Sequence, residues 1–198
     1  MDFYASPQLR GDLVDLEPMT GEHAPELAEA IAEDDFYKVW FIRLPSPDGM
    51  VADIESKLTR HTTQQCVPWA IRRKSDGRAI GVTTFLNIRP DNKRLEIGST
   101  WLATSAQGTA INAEAKLLLL THTLETLECI AVEFRTHWHN RRSRAAIAAL
   151  GAKQDGVLRN HDVWQDGTVR DVVVFSIIDR EWPTVRLGLR EKVRSFTE

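Results

Sequence analysis

Apolar positions along this chain change period several times, and the changes mark its elements. Residues 9–17 alternate well enough for a strand, through Leu13, Val14 and Leu16, and Pro18 stops it. Thr20 can cap a helix on which Ala24, Leu27 and Ile31 share a face, with His23 in place of a capping-box Glu. Residues 34–48 have no period; Phe36, Tyr37, Trp40 and Phe41 make them a packed loop or part of a substrate gate. Residues 50–63 return to helical spacing, with Val51, Ile54 and Leu58 on one side.

Two strands follow, 67–73 and 79–88, joined at Ser75-Asp76-Gly77-Arg78, whose Asp-Gly pair marks a tight hairpin. A turn at Pro90-Asp91-Asn92-Lys93 leads into a third strand, 95–103. The pattern then changes. A small, polar stretch, 104–109, precedes a long helix over 111–127 with Leu117, Leu120, Leu124 and Leu127 on its apolar face. Ile130, Val132 and Phe134 alternate as a strand, and residues 140–150 form a helix that ends at Gly151. Two strands around Asp166-Gly167 and a polar C-terminal helix, 179–196, complete the chain. The order β-α-α-β-β-β-α-β-α-β-β-α predicts a mixed α/β (α+β) protein with a largely antiparallel sheet and one β-α-β crossover.

Length and composition narrow the class. A chain of 198 residues suits one domain, 1–198, with a core over about 9–183. Its net charge of −3 offers no global attraction to nucleic acid or anionic lipid, so nucleic-acid and membrane partners are disfavoured. Cys66 and Cys129 stand apart without metal-ligand spacing, which argues against a disulfide framework and against a structural metal. The N-terminus is acidic and lacks an apolar segment, so a cytoplasmic protein is expected.

The chemistry concentrates after the third strand. The first turn of a helix carries unpaired N–H groups and a partial positive charge, which suit a phosphate. Gln107, Gly108, Thr109, Ala110, Ile111 and Asn112 occupy that position with no acidic side chain among them. Before them stands Glu96-Ile97-Gly98-Ser99-Thr100-Trp101-Leu102; after them come Asn140-Arg141-Arg142-Ser143 and Leu150-Gly151-Ala152. In this combination the chain resembles the GNAT superfamily of N-acetyltransferases, in particular its ribosomal-protein N-acetyltransferase branch. The resemblance follows element order over about residues 9–182. It departs at Ala110, where the family's pyrophosphate loop has a second glycine, and at Asn112, where Gly or Ala is usual. Alanine is harmless at 110 if the backbone there is helical and strained if φ is positive.

The resemblance implies a fold with helices on both faces of a twisted sheet, and acetyl-CoA as cosubstrate with no metal. It implies that the main chain at Thr100, Trp101 and Leu102 meets the pantetheine arm and the thioester carbonyl, where an amide N–H would stabilise an oxyanion. The loop from Gln107 to Asn112 would hold the pyrophosphate by its amides. Asn140 would contact pantetheine or order the nearby backbone, and as a residue type it is also a good N-cap. Ser143 would protonate the departing thiolate, a role other members give to tyrosine; Tyr4 and Tyr37 lie outside that helix. Of the basic run Arg141, Arg142 and Arg144, one, taken as Arg144, would reach the 3′-phosphate, unless the run is a solvated helix face. Glu96 is the first candidate for the base that deprotonates the amine, or else a strand carboxylate paired with an arginine; Glu133, His137 and His139 follow it. The stretch 156–161 resembles one common in the branch and shapes either the acceptor pocket or a dimer contact.

Three functions are thereby in play. The first is direct acetyl transfer to a primary amine, a protein N-terminus or a small molecule, in a ternary complex, by a homodimer. Neither cysteine lies in the matched motifs, which disfavours an acyl-cysteine route. The second is a CoA-binding regulatory module without catalysis, motivated by Ala110 and the missing tyrosine. The third, RNA binding, has only the arginine run in its favour.

Overall fold

The computed structural model describes residues 1–164 and 166–197; Gln165 and Glu198, which the 1–198 domain reading includes, lie outside the described residues. The strands are β1 (Leu9–Arg10), β2 (Val14–Pro18), β3 (Val67–Arg73), β4 (Ala79–Arg89), β5 (Arg94–Leu102), β6 (Ala131–His137), β7 (Lys153–Val163) and β8 (Val169–Ile178). The helices are α1 (Ala24–Ile31), α2 (Met50–Thr62), α3 (Ile111–Thr121), α4 (Arg141–Ala148) and α5 (Trp182–Thr197). All the strands join one sheet in the order β1-β2-β3-β4-β5-β6-β8-β7. Every neighbour pairs antiparallel except β5 and β6, which α3 connects as the single crossover.

Side chains of both parities are buried along Val67–Ile71 of β3 and Ala79–Phe85 of β4, so both faces of the central sheet are covered. Helices α1 and α2 pack on each other and on β4 and β3, while α3 packs against α5 and against β1 and β2. The hydrophobic core runs as one cluster from Phe3 to Val193, beyond the expected limits of 9–183 at both ends.

Four local expectations are corrected. Residues 9–17 are not one strand but a hairpin, β1 against β2 with Leu9 opposite Leu16. The turn between them is closed by Gly11 N donating to Val14 O at 2.9 Å. It is fastened from a distance: the Glu114 carboxylate on α3 accepts from Asp12 N (2.8 Å), Leu13 N and Val14 N (both 2.7 Å). On α2 the buried face is Met50 and Ile54, and Val51 points to solvent, because it sits about 100° around the helix from Met50. The long helix ends as α-helix at Thr121 and continues as a π-helical turn, His122–Thr126. Leu119 and Leu120, about 100° apart on α3, are buried with Leu127, while Leu117 and Leu124 are only partly so; the wider turn shifts the phase of the residues after it. Helix α5 is not a polar appendage, since Trp182, Val185, Leu189 and Val193 form a buried stripe. Its polar composition hides a narrow apolar seam at helical spacing.

Candidate active site

Strands β5 and β6 start side by side and then part. Their parallel pairing covers only Arg94–Ala131, Leu95–Val132 and Glu96–Glu133. Residues 97–102 of β5 and 134–137 of β6 run on without each other, and a cleft of about 570 Å³ opens where they separate. One cause lies in β5 itself. Opposite β4, Thr84 pairs with Gly98 and Val82 with Trp101, so β5 carries one extra residue there, with Ser99 at φ +45°. Such a bulge increases local twist and re-aims main-chain groups, which turns the edge of β5 into the cleft. Beyond the bulge, Thr100, Trp101 and Leu102 line the cleft wall.

Glu96 lies at the fork. Its carboxylate is buried, accepts from Asn87 Nδ2 at 2.6 Å and stands 3.5 Å from Arg135 Nε. Burial raises its proton affinity above that of an ordinary carboxylate, against the opposing pull of Asn87 and Arg135. Gly98 makes room for it, since a Cβ there would fall 2.8 Å from Glu96 Oε1. The paired-arginine reading of Glu96 is therefore correct as geometry, yet the group still lines the cleft. Glu133 is different: it is clasped by Arg94 and Arg135 and stays out of the cleft wall. His137 lines the cleft, its Nδ1 accepts from His139 N at 3.0 Å, and burial, then nearby Arg170, lowers its proton affinity. His139 is exposed and lies outside the lining.

The segment before α3 presents main-chain donors, a chemistry suited to an anion. Gly108 has φ +75°, a left-handed conformation that favours glycine, whereas Ala110 has φ −74° and ψ −6°, ordinary right-handed values. Alanine at 110 is thus unstrained, which resolves the departure noted in the sequence. Thr109 Oγ1 donates to Ala106 O (2.7 Å) and accepts from Ile111 N (3.2 Å), fixing the turn. The main-chain N–H groups of Gly108, Thr109, Ala110 and Asn112 have no acceptor among the described residues. Gln107 locks the loop to the cleft wall by donating from Nε2 to Leu102 O at 2.7 Å and accepting from Arg142. Gln107, Gly108 and Asn112 line the cleft; Thr109, Ala110 and Ile111 do not.

Helix α4 supplies the facing wall. Asn140 caps it, its Oδ1 accepting from Ser143 N at 3.0 Å, and both residues line the cleft. The Ser143 hydroxyl has no partner among the described residues. Arg144 turns away, stacking on Trp138 at 4.3 Å and donating to Trp138 O. Arg142 instead reaches Gln107 and lies over Phe36 at 5.5 Å. The aperiodic segment is a packed wall: Phe36, Phe41 and Arg43 line the cleft, and Arg43 lies over the Trp164 ring at 4.7 Å.

Two cleft residues escape sequence reasoning. Arg142 is one of three equivalent arginines, and only the facing of α4 separates it from Arg144. Lys116 falls inside the leucine-rich stretch of α3, where a lone charge reads as a solvated helix face. It is buried, with Nζ donating to Thr100 Oγ1 at 2.8 Å and to Thr83 Oγ1 at 3.4 Å. A signal for it exists, since Lys116 is a charge on a face otherwise built from Ala113, Leu119 and Leu120. Among the described residues no group of His, Cys, Asp or Glu is arranged to hold a metal, and no helix is long and apolar enough to cross a membrane.

A forked sheet with main-chain donors on one side and a helix N-terminus beside it has the chemistry that suits an extended, phosphate-bearing ligand. Comparison with known proteins names the class: the profile described as "Acetyltransferase (GNAT) domain" matches residues 14–153, and the chain belongs to that family of acetyltransferases. It is 31% identical over 107 residues to YdaF of Bacillus subtilis, whose name places it provisionally among ribosomal N-acetyltransferases. That match covers 54% of this chain and only 57% of YdaF. A protein from T. thermophilus, solved as a candidate acetyltransferase, is 33% identical, with TM-score 0.83, 96% of this chain covered and 98% of that one. Mycobacterium smegmatis RimJ, solved with CoA-disulfide, shares the fold at 21% identity and TM-score 0.76, covering 93% and 92% of the two chains.

Proposed function

We propose that this acetyltransferase moves the acetyl group of acetyl-CoA to a primary amine by direct attack within a ternary complex. The observation that carries the reading is the fork itself. Free amides at Gly108 and Asn112, the unpaired edge of β5 and the buried Glu96 carboxylate line one continuous cleft, and the free amides of Thr109 and Ala110 belong to the same loop. In this reading the diphosphate rests on the α3 amides, and the pantetheine runs along Thr100, Trp101 and Leu102 past Asn140. Glu96 takes the proton of the attacking amine, and Ser143 returns one to sulfur. Arg142 replaces Arg144 as the candidate for the 3′-phosphate, being the arginine at the loop. The RimJ complex, in which the same fold holds a CoA species, supports the choice of ligand.

The acceptor is an amine of a protein N-terminus or a small molecule. A cytoplasmic homodimer completes the proposal, supported by the two buried free thiols and by the exposed Trp40, which packs beside Phe41 and His137. A catalytically silent CoA-binding module is the second reading. It rests on the lack of a tyrosine among the described cleft residues. Thiol release from acetyl-CoA, followed over a panel of peptide and small amines alongside calorimetry, separates the two. Turnover on any amine, lost in Ser143→Ala or Glu96→Gln, supports transfer, whereas tight binding with no turnover on the panel favours the module.

A further inference from the structure

Helix α3 buries two charged side chains, and only one of them is explained by packing. Glu114 spends its carboxylate on three main-chain N–H groups of the β1–β2 turn. Lys116 faces the other way, into the cleft wall, and meets no carboxylate within ion-pair distance among the described residues. Its Nζ donates to the hydroxyls of Thr100 and Thr83, which lie 2.9 Å from each other. An ammonium has three N–H bonds, so one remains without a protein acceptor, beside the bulge of β5. A buried lysine left in this condition costs stability that a leucine or methionine would not, and a purely structural role does not account for it.

We propose that Lys116 is a working residue of the transfer: with the donor bound it places a positive charge in the acyl-donor half of the cleft, its free N–H turned toward the thioester end of the donor. The assignment rests on the acetyl-CoA reading above. As the acceptor nitrogen bonds to the acetyl carbon and the carbon–sulfur bond breaks, the bonding pair stays on sulfur. The amine's proton goes to Glu96, and Ser143 passes its hydroxyl proton to the thiolate while taking one from water, so the proton count closes. Lys116 keeps its own proton and offsets the charge on sulfur while that charge exists. Burial alone lowers the Nζ proton affinity to about 7, and a neighbouring anion raises it again, so the charge is held fully only with the donor in place. The titratable and charged groups facing the same cleft are Glu96 on β5, Arg135 and His137 on β6, Arg142 on α4, Asp162 on β7, and Asp34 and Arg43 in the segment after α1; β4 offers Lys116 only the Thr83 hydroxyl.

The test reads the proton on Lys116 directly. In wild-type protein carrying labelled lysine, the Cε resonance that disappears in Lys116→Met is followed against pH, with and without saturating CoA. The expected result is an inflection near 7 in the free protein, moved upward by a pH unit or more when CoA is bound. In parallel, Lys116→Met should bind CoA within about threefold of wild type while kcat falls about tenfold or more, the pattern of a group felt mainly as charge develops. An inflection unmoved by bound CoA overturns the assignment, as does a variant with wild-type kcat. If Lys116→Met does not fold, assignment through Lys116→Arg leaves the wild-type titration to decide. Failure of CoA to bind at all in calorimetry overturns the acetyl-CoA reading together with this one, whereas binding with an unmoved lysine overturns this one alone.

Discussion

Gly108 and Ala110 stand two residues apart in the loop proposed to hold the diphosphate, and their backbones predict opposite outcomes for exchanging glycine and alanine. At φ +75° Gly108 occupies the left-handed region, where a Cβ costs roughly 1–2 kcal/mol. Nothing lies within 4 Å of where that Cβ would be, so the cost is conformational rather than steric. Gly108→Ala can bear it in two ways. The loop keeps its shape and the fold loses stability, or the free loop relaxes and must be re-formed when CoA binds. The two losses together should amount to about 1–2 kcal/mol, and if the whole falls on binding, affinity drops about 5- to 30-fold. Ala110→Gly is the control. Ala110 is fully buried and right-handed, so glycine there removes a packed methyl and loosens the helix start by about 1 kcal/mol. It should not tighten CoA binding, although it restores the residue the family pattern expects. Calorimetric titration with CoA and thermal melts of both variants provide the two numbers. If Gly108→Ala matches wild type in both, or Ala110→Gly binds CoA several-fold more tightly, the account of the loop is wrong.

Other outcomes follow from the same geometry. Glu96→Gln keeps the size of the side chain and an acceptor for Asn87, yet should lower kcat by about 100-fold or more. Glu96 acts deprotonated and its proton affinity is raised by burial, so wild-type activity should climb with pH through a value above 4.5, and the variant's profile should lose that limb. Lys116 has its proton affinity lowered from 10.5 to about 7, so between those values the unfolded chain holds a proton that the folded one has released. Wild-type stability should therefore rise relative to Lys116→Met by up to about 1.4 kcal/mol per pH unit above 7, and keep a constant offset from it below 6. Denaturant titrations at pH 6, 7, 8 and 9 measure this, and a constant difference refutes it. Glu114→Ala strips three main-chain donors of their acceptor and should cost about 3 kcal/mol or more, lowering the melting temperature by about 6–12 °C. A change under about 2 °C would show that water replaces the carboxylate freely.

The sequence and the structure agree where structure is decided by neighbours in the chain. The β3–β4 hairpin is written in Asp76-Gly77, the start of α4 in Asn140, and its end in Gly151 at φ +96°. The fork of the sheet was within reach through the Glu96–Leu102 motif, although not its cause. The bulge at Ser99 is a mismatch between two strands and leaves no mark in either one alone. Contacts across the fold were equally hidden. Nothing near Asp12 announces that Glu114, some hundred residues on, will close its turn. Arg142 and Arg144 look interchangeable in a run of arginines, and they part only because α4 presents one to Gln107 and the other to Trp138. Lys116 is obscured because a lysine in a helix is usually solvated, and its burial depends on how α3 lies over β4 and β5.

A crystal structure with acetyl-CoA bound tests the central claim most directly. Diphosphate oxygens within hydrogen-bonding distance of the N–H groups of Gly108, Thr109, Ala110 and Asn112, with the thioester between residues 97–102 and 134–137, is the predicted arrangement. Density for the ligand elsewhere, or crystals soaked at saturating concentration with the fork still empty, would contradict it.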